Sequence, residues 1–533
     1  MNEDHYEKAR ILYDLGRYEL AAEALQRELA FSPQNSEAHT LMGRALAQLH
    51  RYEAAIAAAE EGIRLLPDSA YAHYGLALVC NLADDLKKAR SAMQEALRLN
   101  PQNASYFSLQ SNLDYRIGMY RESLAMAERG LQIDAEHVGC LNRRAIALMH
   151  FGRNQEAAQV LKEALAEAPE DAVTRIHQAL LQKELKQEDQ ASEHYREALR
   201  FNQDLDHNMR GIALQGLGEH QQALEEYTLA VEESSQFTEA YYNRGNVYLE
   251  LKDYPSAIAD YTRALQTHSE YVFAYNNRGL ARSRSGDKQG ALEDYTCAIA
   301  LSPGSALYFR NRGTLRDGLR DQQGAFSDFS AAIALDPTHV LTYIDRGNIY
   351  FAQAKWFQAL EDYDRAITLD PNYAIAHYNC GLAYSKLNRN TEAIAAFSRA
   401  IGFDASCADY FYDRGVVRAN NAEIEGAFAD YTEAIRLDPK ADKAYNNRGW
   451  LSMGRRHHLL AKADFSAAIA INPDYVKALF NRASCCYALG DGPGAAVDYE
   501  QILAITKRTG DTANQKEAQD ELFKLRLCFW LFW

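Results

Sequence analysis

The chain has 533 residues, of which 47% are hydrophobic and 24% charged, and its formal net charge is −16. This acidic balance argues against nucleic acid as the main partner, because nucleic-acid-binding proteins present clustered basic residues. The eight cysteines form no CxxC pair and no Cys/His metal spacing, so we expect no metal or cofactor and a reducing, cytoplasmic setting. The first residues lack the pattern of a signal peptide, and no apolar run reaches the roughly 18 residues that a membrane helix needs. A membrane partner is therefore not expected.

A 34-residue pattern recurs along the chain, and such a period decides the fold. The repeats begin at residues 2, 36, 70, 104, 138, 172, 204, 238, 272, 306, 340, 374, 408, 442 and 476, and the one that begins at 172 is two residues short. When each repeat is counted from position 1, Gly recurs at position 8, Ala at position 20 and Tyr or Phe at position 24. Two amphipathic helices joined by a tight turn need small residues where their backbones approach and one bulky side chain between them. Each repeat is therefore predicted to be a helical hairpin.

Proline placement supports these boundaries. Nine of the eleven prolines lie at position 32, just past the second helix, and Pro255 and Pro493 lie at position 18, in the first turn of that helix. Both are places where a helical hairpin tolerates a residue without an N–H group. Gly at position 15 of six repeats, as at Gly118 and Gly286, marks the turn inside the hairpin.

The residues at positions 8, 20, 24, 27 and 32 resemble the tetratricopeptide repeat, and the resemblance covers nearly the whole chain. It implies an all-α fold, a right-handed superhelical solenoid of about 15 helix-turn-helix repeats with a C-terminal capping helix. Proteins of this kind bind protein or peptide segments, and the resemblance implies partners of that class here.

The signatures divide the array into two parts and a tail. Residues 2–203 hold six repeats that lack the Asn-Arg-Gly and Asp-Tyr signatures and are richer in Ala and Leu. Residues 204–509 hold nine repeats that increasingly carry these signatures, and residues 510–533 form the tail. The short repeat that ends at Gln203 is either a joint between two sub-arrays or merely a shortened turn. The tail begins polar and ends in apolar residues, so it either caps the solenoid, docks a partner, or touches a membrane with Cys528 as a lipid site.

Position 6 carries the sharpest functional signal. Asn is a mediocre helix former, yet amide or carboxylate side chains occupy this helical position in eight consecutive repeats: Asn243, Asn277, Asn311, Asp345, Asn379, Asp413, Asn447 and Asn481. An amide offers both donors and an acceptor, so a row of amides can hold the backbone of an extended peptide. The row is similar to the asparagine ladder in the repeat superhelix of the O-linked N-acetylglucosamine transferases. The alternative is that these side chains only bridge neighbouring hairpins.

Neighbouring positions extend this predicted peptide groove. Position 5 supplies candidate side-chain pockets and position 9 extends the polar surface: Tyr242, Asn276, Arg310, Tyr378, Tyr412 and Asn446 lie at position 5, and Asn246 and Asn348 lie at position 9. The carboxylates of Asp345 and Asp413 would favour donors or basic side chains in a partner.

Arg at position 7 recurs together with Asp at position 23. The repeat that begins at 374 loses both at once, because Cys380 and Ala396 occupy the two positions. We therefore predict an Arg–carboxylate pair between helices, within one repeat or between adjacent ones. An architectural role is favoured, and a ligand-binding role is the alternative.

No phosphate loop, zinc-protease motif or nucleophile elbow occurs in the chain, so we expect no catalytic activity. The favoured function is a scaffold or adaptor that binds extended peptide segments in its concave groove. The alternatives are a regulatory or substrate-targeting subunit of an enzyme on a separate chain, and a structural spacer. The sequence leaves the oligomeric state open.

Overall fold

Helices account for all the regular secondary structure that the computed structural model describes. The described residues are 5–201 and 205–531, with side chains as far as Arg526, and they contain no strand. The predicted joint at Gln203 lies outside these residues. Contacts between Cα atoms divide the chain into two compact units, Met1–Pro303 and Gly304–Trp533, which we call unit 1 and unit 2.

Unit 1 contains eighteen of the described helices: α1 (His5–Asp14), α2 (Tyr18–Phe31), α3 (Ser36–Gln48), α4 (Tyr52–Leu65), α5 (Ala70–Leu82), α6 (Leu86–Leu99), α7 (Ala104–Arg116), α8 (Tyr120–Ile133), α9 (Val138–His150), α10 (Asn154–Glu167), α11 (Ala172–Glu184), α12 (Glu188–Arg200), α13 (His207–Gly216), α14 (His220–Glu233), α15 (Thr238–Glu250), α16 (Tyr254–Thr267), α17 (Val272–Ser285) and α18 (Lys288–Leu301).

Unit 2 contains the other thirteen described helices: α19 (Ala306–Gly318), α20 (Gln322–Leu335), α21 (Val340–Ala352), α22 (Trp356–Leu369), α23 (Ala374–Lys386), α24 (Asn390–Phe403), α25 (Ala408–Asn420), α26 (Ile424–Leu437), α27 (Asp442–Gly454), α28 (His458–Ile471), α29 (Val476–Ala488), α30 (Gly492–Thr509) and α31 (Thr512–Leu531).

Helices α1 to α30 pair into fifteen hairpins, numbered 1 to 15, each with an odd-numbered first helix and an even-numbered second helix. The residue at position 15 has a positive φ in all fifteen hairpins, as in Gly118 at 82° and Ala422 at 61°. This left-handed residue reverses the chain between the two helices. Six of these residues are Gly, as the sequence predicted, and nine are other residues.

A glycine and an aromatic ring fix the spacing of the two helices in most of the later hairpins. A Cβ atom added to Gly245 would lie 2.8 Å from Cε1 of Tyr261, a side chain that is fully buried. The same conflict arises between Gly415 and Tyr431, at 2.9 Å. The ring therefore occupies the space that a side chain at position 8 would need, which confirms the predicted pairing of small and bulky residues.

The Arg–Asp pair at positions 7 and 23 lies within each hairpin that carries it. Arg346 Nη2 lies 2.6 Å from Asp362 Oδ1, and Arg448 Nη2 lies 2.7 Å from Asp464 Oδ1. The aspartates are buried, so the pair joins the first and second helix beneath the surface. The predicted architectural role is confirmed.

The first helices of successive hairpins contact one another in each unit. Such contacts join α7 to α9 and α11 to α13 in unit 1, and α23 to α25 in unit 2. No two second helices pack together to the same extent in the part of the chain that the structure describes. A stack whose first helices lie closer together bends toward them. The first helices therefore line the inner side of each array, and we call this side the first-helix face.

Helix α31 covers the end of the last hairpin, as predicted for a capping helix. Its residues Ala518, Leu522 and Leu525 are buried in one cluster with Tyr499 and Ile502 of α30. The side chains of 527–533, including that of Cys528, lie outside the described residues. Within the described ranges no helix combines the length and apolarity that a membrane crossing requires.

Candidate functional site

The position-6 ladder lies on the first helices, and most of its members form hydrogen bonds between neighbouring hairpins. Asn277 on α17 donates from Nδ2 to Tyr242 Oη at 3.1 Å and to Asn246 Oδ1 at 2.8 Å, both on α15. Its Oδ1 accepts from Asn276 Nδ2 at 2.9 Å. Asn243 likewise donates to Asn208 on α13, at 2.9 Å. The amides of the ladder therefore bridge successive first helices.

The same network recurs in unit 2. Asn447 donates to Tyr412 Oη at 3.4 Å and accepts from Asn446 Nδ2 at 3.2 Å. Asn481 donates to Asn446 Oδ1 at 2.9 Å. Asn379 donates to Asn348 Oδ1 at 3.1 Å. Asn311 occupies the corresponding place on α19 and is half-buried.

Two of the predicted position-5 pocket residues are buried beneath this network. Asn276 is 7% exposed and Asn446 only 1%. Their amides orient the side chains of Asn277 and Asn447, so they support the ladder rather than present themselves to a ligand. Tyr242 is half-buried, and burial raises the pKa of its hydroxyl, which stays protonated.

The two carboxylates in the ladder have different surroundings. Asp413 accepts a hydrogen bond of 2.6 Å from Tyr378 Oη. Asp345 accepts none from the residues that the structure describes. Burial, with repulsion from Asp317, raises the pKa of Asp345 to about 6. Arg310 does not neutralise it, because its guanidinium lies 3.6 Å from Asp336 instead.

Exposed apolar side chains lie beside the ladder, and the sequence interpretation missed them. They are at position 2, four residues before a ladder residue and so on the same helix face: Phe273, Leu307, Leu341 and Ile375, each between 42% and 46% exposed. Trp450, at position 9, is 53% exposed. Their four-residue spacing from the ladder was the signal in the sequence that could have indicated them. It does not distinguish an exposed side chain from a buried one, because apolar residues at helical spacing more often belong to a core.

In unit 1, an ion-pair cluster joins hairpins that are far apart in the sequence. Arg116, at the end of α7, donates from Nε to Glu239 Oε1 at 2.6 Å and from Nη2 to Asp84. Thr238 donates to the other Asp84 oxygen at 2.7 Å. The turn of hairpin 3 and the end of α7 are thereby tied to the start of α15. We call Asp84, Arg116, Thr238 and Glu239 the latch. The latch was not predicted from the sequence, because its residues do not recur at fixed positions of the repeat.

Next to the latch, Arg143 occupies position 6 of hairpin 5. It is half-buried, and it makes no hydrogen bond or ion pair with the residues described in the structure. Burial and the nearby Arg116 lower the pKa of Arg143 to about 10, so the side chain stays charged at pH 7. Burial and Arg143 lower the pKa of His177 to about 3, so that imidazole is neutral. The sequence interpretation did not single out either residue.

Tetratricopeptide repeat models match most of the chain. One matches residues 5–39, 40–104, 109–172, 381–442 and 446–511, another matches 238–271, and a TPR repeat model matches 347–388. No curated protein matches.

Several solved structures are similar in fold. YrrB, described as a TPR protein with an unusual peptide-binding site, is 22% identical over 35% of this chain and 97% of its own, with a TM-score of 0.32. The Cut9–Hcn1 hetero-tetramer of the APC/C matches at 14% identity over 92% of this chain and 96% of that one, with a TM-score of 0.43. Yeast Tom70 matches at 15% identity, 86% and 96% coverage, and a TM-score of 0.33. Because these models together match most of the residues between 5 and 511, the chain belongs to the tetratricopeptide repeat family.

Proposed function

We propose that this protein is a non-catalytic scaffold or adaptor that binds extended peptide segments along its first-helix face. The observation that carries the proposal is the pairing of an exposed apolar side chain with a ladder residue one turn later. Leu307 precedes Asn311, Leu341 precedes Asp345, and Ile375 precedes Asn379. An extended peptide offers both apolar side chains and unpaired backbone groups, and this surface complements both.

The ladder amides keep hydrogen-bonding capacity for a ligand. Asn243 is half-buried and donates one hydrogen to Asn208, and its second N–H and its carbonyl oxygen make no other hydrogen bond with the described residues. Asn277 uses both N–H groups within the protein, so it would serve a peptide as an acceptor. Each such contact contributes only about 0.5–1.5 kcal/mol, so useful affinity needs several rungs together.

Asp345 would discriminate among peptides. Its carboxylate is half-buried, and the neighbouring charge, Asp317, has the same sign. A Lys or Arg side chain of a bound segment would relieve this repulsion, so we propose that segments with a basic residue at this rung bind best.

The test is a selection from random peptides displayed on phage, followed by binding measurements on the selected peptides. The triple variant Asn277→Ala, Asn311→Ala, Asn447→Ala should lose most of the affinity that the wild-type protein shows. A matched control removes three amides from exposed positions on second helices, through Gln266→Ala, Gln289→Ala and Gln323→Ala, and should bind as the wild type does.

The competing interpretation is that the amides only join hairpins. In that case the triple variant binds the selected peptides unchanged, or its thermal midpoint falls so far that the protein is unfolded at the temperature of the assay. A modest fall in the midpoint is compatible with the proposal, because three inter-hairpin networks are weakened.

A further inference from the structure

The latch joins opposite edges of the hairpin stack in unit 1. Because each hairpin returns the chain to its start, the first helices of a stack run in the same direction, with their first residues along one edge and the hairpin turns along the other. Thr238 and Glu239 begin α15. Arg116 ends α7, and Asp84 lies in the turn that follows α5.

The contact between these edges defines the course of the stack. A first helix such as α7 has 13 residues and is about 20 Å long, so the two edges of a straight stack would stay apart. Since they meet at the latch, hairpins 3 to 8 complete one superhelical turn. We call the line along which hairpins 3 and 4 meet hairpin 8 the seam.

Hydrogen bonds and an ion pair cross the seam. Arg116 donates to both carboxylate oxygens of Glu239, from Nε at 2.6 Å and from Nη2 at 2.9 Å. Thr238 donates to Asp84 Oδ2 at 2.7 Å. The buried hydrophobic cluster of hairpins 2 to 4 and that of hairpins 7 to 9 are separate. These two clusters therefore do not hold the seam together as apolar burial holds adjacent hairpins.

Two groups of the latch have a second partner on their own side of the seam. Arg116 donates from Nη1 to Asn81 Oδ1 at 2.9 Å and from Nη2 to Asp84. Its guanidinium would therefore stay paired with hairpin 3 if the seam opened. The Thr238 hydroxyl lies 2.8 Å from Thr267 Oγ1 within hairpin 8. Opening thus avoids the large cost of leaving a buried charge without any partner.

Glu239 is the group whose surroundings change most on opening. Its side chain is 27% exposed at the closed seam, and it lies in the first turn of α15, where the helix dipole stabilises a carboxylate. Opening returns this carboxylate to water. The attraction between Glu239 and Arg116 is offset by the cost of removing both charges from water, so the net free energy that favours closure is small. Such a contact suits a reversible switch.

We propose that the seam is a gate, which opens when Arg116 and Glu239 separate and then admits a partner's segment sideways to the inner side of unit 1. With the seam closed, a segment enters along the superhelix axis with a free chain end first. With the seam open, an internal segment of a folded partner can enter as well. This inference rests on the proposed function and adds its regulation and a class of partner.

The first experiment measures the width of the seam in the full chain by double electron–electron resonance. Nitroxide labels are attached to unnatural amino acids at Lys87 and Glu270, two exposed residues. Lys87 follows the turn of hairpin 3, and Glu270 follows the end of α16 in hairpin 8, so the labels lie on opposite sides of the seam. The otherwise wild-type protein should give a short and narrow distance.

Charge reversal at Glu239 should open the seam. Glu239→Lys places a like charge against Arg116, so the ratio of closed to open molecules should fall about tenfold or more and the distance should become longer and broader. Glu239→Gln should have a smaller effect, because it removes the charge without creating repulsion. Glu232→Lys makes the same charge change at an exposed residue of hairpin 7 and should keep the wild-type distance.

The second experiment tests what the gate admits. Peptides from the phage selection are prepared both as linear peptides and as internal loops of a folded carrier protein, and crosslinking mass spectrometry identifies those that bind unit 1. For these peptides the loop form should associate about tenfold faster with Glu239→Lys than with the wild type, because its association is limited by the fraction of open molecules. The linear form should associate with both proteins at similar rates.

Three results would overturn the inference and leave the proposed function intact: an unchanged distance in Glu239→Lys, equal association of the loop form with both proteins, or peptides that bind only unit 2. If no peptide binds in either form, the proposed function fails and the gate fails with it. Circular dichroism shows whether each variant is folded, and Glu239→Gln supplies the same comparisons if Glu239→Lys is unfolded.

Discussion

Arg414 joins three helices through one guanidinium. From α25 it donates to Asp430 on α26 at 2.6 Å, and from Nη1 it donates to Ser398 on α24, in the preceding hairpin, at 3.0 Å. Arg418 donates to the same aspartate at 2.9 Å. Asp430 is only 3% exposed. The pair is therefore both an internal tie of its hairpin and a link to the hairpin before it.

Removing this carboxylate should be strongly destabilising. Asp430→Ala leaves two guanidinium groups without their partner in a buried site, and breaking such a pair typically costs about 3–5 kcal/mol. Chemical denaturation followed by circular dichroism measures the change in the free energy of unfolding. The double variant Arg414→Cys, Asp430→Ala reproduces the combination that Cys380 and Ala396 form naturally, and it should recover part of the loss. A change near zero in the single variant would show that the pair contributes little.

The left-handed turn residues allow a stabilising change. Ala422 has a φ of 61°, a conformation that costs an L-residue roughly 1 kcal/mol and glycine nothing. Ala422→Gly should therefore stabilise the protein by up to about 0.5 kcal/mol, because the larger chain entropy of glycine in the unfolded state offsets about 0.4–1 kcal/mol of the gain. The reverse change at an equivalent turn, Gly286→Ala, should destabilise by a similar amount. If both variants shift the thermal midpoint in the same direction, the turn geometry is not the cause.

The pKa of Asp345 predicts a pH dependence of stability. Its folded-state pKa is raised to about 6 from a usual value of 3.8, so the folded protein binds this proton more tightly than the unfolded chain. The contribution of Asp345 to stability therefore increases as the pH falls from above 6 toward 4. Asp345→Asn should stabilise the protein at pH 7 by about 1–3 kcal/mol and flatten this part of the curve. Glu361→Gln, at an exposed carboxylate of the same hairpin, is the control and should leave the curve unchanged.

The latch predicts coupling between segments that are far apart in the sequence. Arg116→Gln leaves Asp84 and Glu239 side by side without their shared cation, so like-charge repulsion should separate the turn of hairpin 3 from α15. Hydrogen exchange should then become faster in both segments, while hairpins of unit 2 keep the wild-type rates. Arg153→Gln, which removes an exposed ion pair at the start of α10, should leave exchange in both segments unaltered. Equal exchange in wild type and Arg116→Gln would contradict a stabilising latch.

The sequence predicted the hairpins because each one repeats the same local signals. Gly245 faces Tyr261 and Pro255 opens a second helix, and similar pairs recur at a constant interval. The Arg–Asp pair could also be predicted, since both members vanish together at Cys380 and Ala396. The hydrogen-bond partners of the ladder could not be predicted. The same row of Asn residues in the sequence is expected whether the amides bind a ligand or a neighbouring helix.

Contacts outside the repeat could not be predicted. Arg116 and Glu239 are 123 residues apart, which is not a multiple of 34, so periodicity carries no signal of their contact. Arg143 lies in the half of the array that lacks the Asn-Arg-Gly signature, and its neighbours on α7 and α11 are known only once those helices are packed.

The latch also has a consequence for how unit 1 folds. An array joined only by adjacent hairpins unfolds piecemeal from its ends, and truncation removes stability one hairpin at a time. The bond between Thr238 and Asp84 joins residues 154 positions apart, so it closes a large loop that contains hairpins 3 to 8. Deleting hairpin 8 should therefore loosen hairpin 3 as well, and unit 1 should melt more sharply and refold more slowly than a linear stack of equal length.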